Sequence, residues 1–252
     1  TMPIKIKDDR KIFKSIMESN SLKLGLSKKN LKKSIEILTL LDQHYYSYIW
    51  SWMGLPIIQL PSETMVNQEI IYKYQPDVIV ETGVARGGSV LFYSTILNMI
   101  KKKYKVIGID IALRKYNRKA IFQHRMSKNI CILDGSSTDS EIFKKVKKLC
   151  KNKKVIVILD GDHSKKHVAE ELRLYSQLIK KNGYIVAADT ILGFLNKKQT
   201  PTKVSQVLYK GNEPYSAVKE FLKKNKDFKI DKALNGKLLI SQNYSGYIKK
   251  IK

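Results

Sequence analysis

The chain predicts an α/β fold: a doubly wound, mostly parallel sheet closed by an antiparallel C-terminal hairpin and capped by N-terminal helices. Three observations carry this. From Val78 onward, short aliphatic runs alternate with helical stretches, the pattern of consecutive βα units. Runs such as Val155-Ile156-Val157-Ile158-Leu159 are apolar throughout, as strands covered on both faces must be. The length of 252 residues, 43% of them hydrophobic, supplies a real core and fits one large α/β domain or two small ones. No apolar run approaches the roughly 20 residues that a membrane span needs.

Residues 2–50 read as mainly helical. Ile12, Phe13, Ile16 and Met17 fall at helical spacing, and Leu31, Ile35, Leu38, Leu41 and Tyr45 form a second stripe. Tyr45, Tyr46, Tyr48, Trp50 and Trp52 then crowd together before Gly54, Pro56 and Pro61 break regularity. These aromatics either pack the cap on the main domain or wall a substrate pocket through Trp50 and Trp52. Residues 1–60 are therefore read as the cap and 61–252 as the main domain. A helix is expected from Ser62, as N-cap, to Tyr74.

Strands are expected at Val78–Val80, Val106–Ile109, Ile130–Leu133, Val155–Leu159 and Tyr184–Ala188. Helices are expected at Ser89–Ile100, Glu141–Cys150, His167–Ile179 and Pro214–Lys224. Phe228–Ile230 and Leu238–Ile240 are the expected closing hairpin, and Asn196–Gly211 reads as a loop.

The composition is strongly basic, with 48 Lys and Arg against 22 Asp and Glu and a formal charge of +26. Such a balance suggests nucleic acid, but only 6 of the bases are Arg, the residue that bidentate base and phosphate contacts favour. The lysines are spread along the whole chain, as in a solvated coat. A small or glycan acceptor, anionic if the basic surface attracts it, is preferred over nucleic acid. The two cysteines, Cys131 and Cys150, suit a reducing compartment, and Met2-Pro3-Ile4-Lys5-Ile6-Lys7 lacks a secretory apolar run. A cytoplasmic homo-oligomer is expected.

Ligands of doubly wound sheets bind at the carboxyl ends of the strands, and there the few acids gather: Glu81, Asp110, Asp134, Asp160 and Asp189. After the first strand, Glu81-Thr82-Gly83-Val84-Ala85-Arg86-Gly87-Gly88-Ser89 forms a glycine-rich turn into a helix, suited to close ligand approach. Its spacing is neither the dinucleotide G-x-G-x-x-G nor a P-loop, which disfavours a nicotinamide oxidoreductase. Asp110, 27 positions after Gly83, is placed to accept hydrogen bonds from ribose hydroxyls. Gly135-Ser136-Ser137 is small and polar, suited to an adenine edge.

These strings resemble the class I S-adenosylmethionine-dependent methyltransferases, with their Rossmann-like sheet. They are more closely similar to the family labelled cephalosporin hydroxylases, kin to sugar O-methyltransferases. The likeness is carried by the Gln68-Glu69-Ile70 helix, by Pro76 to Ser89, by Ile109-Asp110 and by Gly135-Ser136-Ser137. Leu159-Asp160-Gly161-Asp162-His163, Ala188-Asp189-Thr190 and Gly246-Tyr247-Ile248 complete it, over roughly residues 45–250. The resemblance implies that Glu81, Gly83, Arg86, Gly87 and Ser89 surround the methionine part of S-adenosylmethionine. It implies that Asp110 holds the ribose and that Gly135 and Ser136 flank the adenine. Asp160 and Asp189 would carry a divalent metal, Mg²⁺ by its preference for hard oxygen ligands. The sequence departs from the family at Ala188, where a second acid is usual, so Thr190, water or Asp162 would have to supply a further oxygen.

The chemistry implied is O-methylation of a sugar, of a surface-polysaccharide precursor or of a related small molecule. His163, three residues past Asp160, stands where a general base is wanted, and it would also contact the acceptor. His167 is expected to be structural. The rival readings are an RNA methyltransferase and a non-catalytic protein that kept the fold.

Overall fold

The structure is a computed structural model and describes residues 8–196, 199 and 210–252. Nearly all of the loop expected at Asn196–Gly211 lies outside the described residues.

Two helices, α1 (Arg10–Leu26) and α2 (Lys28–Asp42), form the N-terminal arm. Ser27 closes α1 and caps α2, its side chain accepting from the Asn30 amide. A small ribbon of β1 (Ser51–Trp52) and β2 (Leu55–Pro56) leads to α3 (Pro61–Tyr74). Leu60, not Ser62, is the N-cap of α3. Glu63 Oε2 accepts from the Leu60 amide at 2.9 Å, while Ser62 lies within the first turn and donates its hydroxyl to the Ile240 carbonyl.

The sheet then builds in βα units: β3 (Val78–Thr82), α4 (Gly88–Ile100), β4 (Lys105–Asp110), α5 (Lys115–Gln123), β5 (Ile130–Asp134) and α6 (Ser140–Leu149). It continues with β6 (Val155–Leu159), α7 (Lys165–Tyr175), β7 (Tyr184–Ala187), α8 (Pro214–Lys224), β8 (Phe228–Ile230) and β9 (Tyr247–Lys250). Strand order is β5-β4-β3-β6-β7-β9-β8. The first five of these are parallel, while β9 runs antiparallel between β7 and β8. β3 and β6 are buried along their whole length, which explains their unbroken aliphatic runs. One apolar layer, with Val80, Val157, Leu172 and Val218, fills one face of the sheet; another, with Ile79, Leu91, Tyr93 and Tyr247, fills the other.

Leu238–Ile240 is not a strand. Leu238 is fully buried as a core plug, and the segment after it is tied down by side chains: Glu63 Oε1 accepts from the Ser241 hydroxyl and the Gln242 amide. The strand that pairs with β8 is Tyr247–Lys250. Helix α5 was not expected at all. Its KYNRKAIFQ sequence buries only Ile121, so it leaves almost no apolar period to read.

Candidate active site

Strand order reverses between β3 and β6, because the chain leaves β3 toward β4 on one side and returns to β6 on the other. A cavity of about 260 Å³ opens there, at the carboxyl ends of the strands. The Gly83–Ser89 turn, Asp160, Gly161, His163 and Asp189 line it. A second hollow of about 240 Å³, bounded by Asp110, Ala112, Leu113, Arg114 and Asn117, shares Ala85 and Arg86 with the first. The two form one trough across the glycine-rich turn.

The turn is shaped by left-handed backbone at Gly83 (φ 82°), Ala85 (φ 47°) and Gly87 (φ 87°). At Gly83 glycine is also required by contact, since a Cβ there would run into the carbonyl oxygen of Asp160, the residue just after β6. The β3 and β6 ends therefore touch backbone to backbone. Asp110 pins the turn from the β4 side. Its Oδ2 accepts from the Val84 and Ala85 amides at 2.9 and 3.1 Å, and its Oδ1 from the Ala112 amide at 2.8 Å. The carboxylate expected to hold a ribose thus organises the wall between the two hollows. α4 begins directly under the turn and presents its positive end to the cavity.

Glu81 lies behind the turn, fully buried, and accepts from the Ser89 hydroxyl at 2.7 Å. Burial pushes its carboxyl up to about 8. Among the described residues its Oε1 and the Oε1 of Gln59, a cavity-lining residue, are buried without a hydrogen bond of good geometry, the Tyr93 hydroxyl being the neighbour that, after Ser89, holds the Glu81 carboxyl down. Two unpaired acceptors beside one cavity suit a cationic ligand group such as the ammonium of a methionine moiety. Gly135 and Ser136 follow β5 next to Asp110, and the Gly135 amide donates to the Asp110 carbonyl at 3.0 Å. They lie beside the second hollow and are not among its lining.

Asp160 and Asp189 face one another across the β6–β7 ends. Burial first, then the Asp189 carboxylate, pushes the Asp160 carboxyl well above the usual range. The same Asp189 charge reaches Asp42, at the end of α2, and Tyr48; both titrate upward, chiefly through burial. Among the described residues neither Asp160 nor Asp189 pairs with a lysine or arginine; the partner of Asp189 is His163, with Nε2 3.4 Å from Oδ2. No three metal-ligating side chains close into a cage among the described residues. The donor chemistry nonetheless fits a divalent cation: two carboxylates without a lysine or arginine partner among the described residues, in a chain rich in lysine, opening onto one cavity. Thr190 and Asp162, beside Ala188 and Asp160, are each engaged in local hydrogen bonds. Thr190 Oγ1 is buried and donates to the Tyr244 carbonyl, and Asp162 Oδ1 accepts from the Ser164 amide.

Trp50 and Trp52 are not part of the cavity wall. Both pack against the core, Trp52 edge-on to Phe92 with ring centroids 4.9 Å apart. The wall is instead supplied by Ser47, Tyr48, Pro56, Ile58, Gln59 and, from the C-terminal segment, Gln242. Tyr48 belonged to the visible aromatic cluster. Gln59 and Gln242 carried no sequence signal, because their place depends on long-range packing. His167 is structural: Ser137 Oγ lies 2.9 Å from its Nε2 and donates to the buried Glu171 at 2.6 Å, joining the β5 loop to α7.

A mostly parallel sheet with one antiparallel strand inserted near its edge, and a trough at the β3–β6 reversal, define a Rossmann-like fold of the methyltransferase type. Residues 44–251 match the family model described as Rhamnosyl O-methyltransferase/CmcI, and the chain belongs to that family. It is 30% identical over 155 residues to a rhamnosyl O-methyltransferase of Mycobacterium leprae (strain TN), a match covering 59% of this chain and 65% of that protein. It is 29% identical over 153 residues to the protein of the same name in Mycobacterium tuberculosis (strain ATCC 25618 / H37Rv), covering 58% and 60%. The matches thus span less than two thirds of the length of these curated relatives. The fold is shared with CmcI described with Mg and SAM, at a TM-score of 0.56, 18% identity, and 81% and 78% of the two chains. It is shared equally with apo CmcI, at 0.56 and 18%, over 81% and 77%.

Proposed function

We propose that the protein transfers a methyl group from S-adenosylmethionine to a sugar hydroxyl, assisted by a divalent metal, Mg²⁺. The observation that carries this is the pairing of two features at one cavity: the pinned glycine-rich turn with unpaired acceptors behind it, and the facing carboxylates of Asp160 and Asp189 beside His163. The curated relatives, named as rhamnosyl O-methyltransferases, support the choice of a deoxyhexose acceptor. A sugar within a surface polysaccharide or its precursor is the acceptor class, and the reaction belongs in the cytoplasm.

In this reading Glu81, Gly83, Arg86, Gly87 and Ser89 surround the methionine end of the methyl donor. Asp110 serves the ribose while holding the turn, and Gly135 and Ser136 border the adenine. When bound, the donor would supply a sulfonium methyl, and Asp160 and Asp189 are the residues that would hold a divalent metal, which would supply Lewis-acid charge for ionising a hydroxyl. The chain's own residues do the positioning. Tyr48 offers a ring at the cavity wall for the apolar face of a sugar. His163 takes the hydroxyl proton, its ring oriented by Asp189 and its new charge facing that carboxylate. An assay with rhamnosyl glycosides tests the proposal. Product and S-adenosylhomocysteine should form together, fall at least about a hundredfold in His163→Ala, as for loss of a general base, and stop on chelation. Cofactor turnover unchanged by EDTA, or unchanged in His163→Ala, would remove the metal or the base from the account.

A further inference from the structure

α1 is held to the body by one side only. Ser21 Oγ donates to the Ala233 carbonyl at 2.6 Å, Tyr244 Oη donates to the Gly25 carbonyl at 2.6 Å, and Gly25 lies against Asn235 and Gly236. The opposite result holds for the apolar stripe that the sequence put on this helix. Ile12 and Phe13 are each 61% exposed, and Ile16, Met17 and Leu24 are 42–49% exposed. At 100° per residue these five fall within a sector of about 140°, which Asn20 and Lys23 share, beside the anchored Ser21–Gly25 edge. The stripe is therefore amphipathic but faces outward.

We propose that this face of α1 docks on an anionic lipid surface. The charge around it selects that occupant. From Arg10 to Asp42 the arm carries eight basic residues against three acids. Lys11, Lys14 and Lys23 on α1 are exposed, as are the lysines that open α2 (Lys28, Lys29, Lys32 and Lys33). An apolar helical sector that carries Lys23 among its side chains, in an arm rich in exposed lysines, suits an interfacial helix, in which side chains enter the headgroup boundary while ammonium groups meet lipid phosphates. A second copy of the chain is a poorer fit. It would bring a like-charged arm onto this one, and the five side chains expose on the order of 500 Å² against about 800 Å² per partner in a stable interface. The inference is independent of the catalytic reading. No helix among the described residues is long and apolar enough to cross a membrane, and the proposed contact is peripheral.

Co-sedimentation of the whole chain with vesicles tests this. Binding to mixed phosphatidylcholine and phosphatidylglycerol vesicles is expected, with little to phosphatidylcholine alone and loss as salt rises. The double variant Phe13→Ser/Ile16→Ser keeps every charge, so it separates apolar insertion from the general attraction of a basic protein. Its partition coefficient should fall about tenfold or more, with the thermal midpoint unchanged because both side chains are exposed. Equal partitioning of the variant would overturn the proposal. So would absence of wild-type binding to anionic vesicles, or a lipid-free dimer that the same substitutions dissociate.

Discussion

Methyl-donor affinity should depend on pH through Glu81. Its carboxyl sits at the end of β3 with no exposure to solvent, and burial pushes it up to about 8. The Ser89 hydroxyl, bonded at 2.7 Å, offsets only part of that. In the empty site at neutral pH the group is therefore mostly protonated. A donor ammonium placed beside it favours the ionised form, so binding releases a proton. The bound state holds fewer protons, so affinity rises with pH and levels off above about 8. One pH unit below that value costs about 1.4 kcal/mol, or tenfold. The Kd for S-adenosylhomocysteine should thus be about tenfold weaker at pH 7 than at the plateau, and about a hundredfold weaker at pH 6. Calorimetry between about pH 6 and 8.5, in buffers of different ionisation enthalpy, reads both the slope and the proton released. Glu81→Gln should remove both. A flat profile in the wild type, or the same slope in the variant, would refute the assignment of Glu81 to the ammonium.

Three further outcomes are expected. Replacing one of the facing acids, Asp160→Asn, relieves repulsion from Asp189 and should raise the thermal midpoint of the empty protein, while abolishing its stabilisation by Mg²⁺ in a melting assay; a variant that still gains stability from Mg²⁺ would place the ion elsewhere. Tyr48→Ala should raise the acceptor KM with the cofactor Kd unchanged, whereas Trp52→Ala should lower stability by about 2–3 kcal/mol in a denaturant titration with KM unchanged, because Tyr48 lines the cavity and Trp52 packs on Phe92. Glu63, fully buried, has its carboxyl raised to about 7, so its folded form holds a proton more tightly than its unfolded form near 4.5; its contribution is complete below pH 4.5, is lost as pH rises to 7, amounts to about 3 kcal/mol, and should vanish from the wild-type-minus-Glu63→Gln stability difference measured across that range.

The sheet was legible in the sequence because burial on both faces writes itself as unbroken aliphatic runs, as in β6. The ends of those strands were legible because acids are scarce in so basic a chain, and Asp110, Asp160 and Asp189 do converge on the reversal point. What escaped reading depends on tertiary contact. α5 buries one residue and shows no period. Leu238 is apolar to fill the core, not to pair in a strand, so its run mimicked a closing strand. The stripe on α1 had the spacing of a buried face yet stayed outside. Trp50 and Trp52 shared a cluster with Tyr48, and only packing separates the core residues from the cavity wall. Gln242 enters the site from more than a hundred residues beyond the glycine-rich turn, held there by Glu63.

The central claim is that the trough at the β3–β6 reversal holds a methyl donor. Titration of the protein with S-adenosylhomocysteine, in the wild type and in Asp110→Ala, tests it most directly. Asp110 fixes the turn through the Val84 and Ala85 amides and is the residue proposed to serve the ribose, so its loss attacks the trough without touching Asp160 or Asp189. The account predicts one-to-one binding by the wild type and a loss of affinity of at least about tenfold in the variant, the scale of one charge-assisted hydrogen bond. No heat of binding in the wild type, or equal affinity in Asp110→Ala, would contradict it.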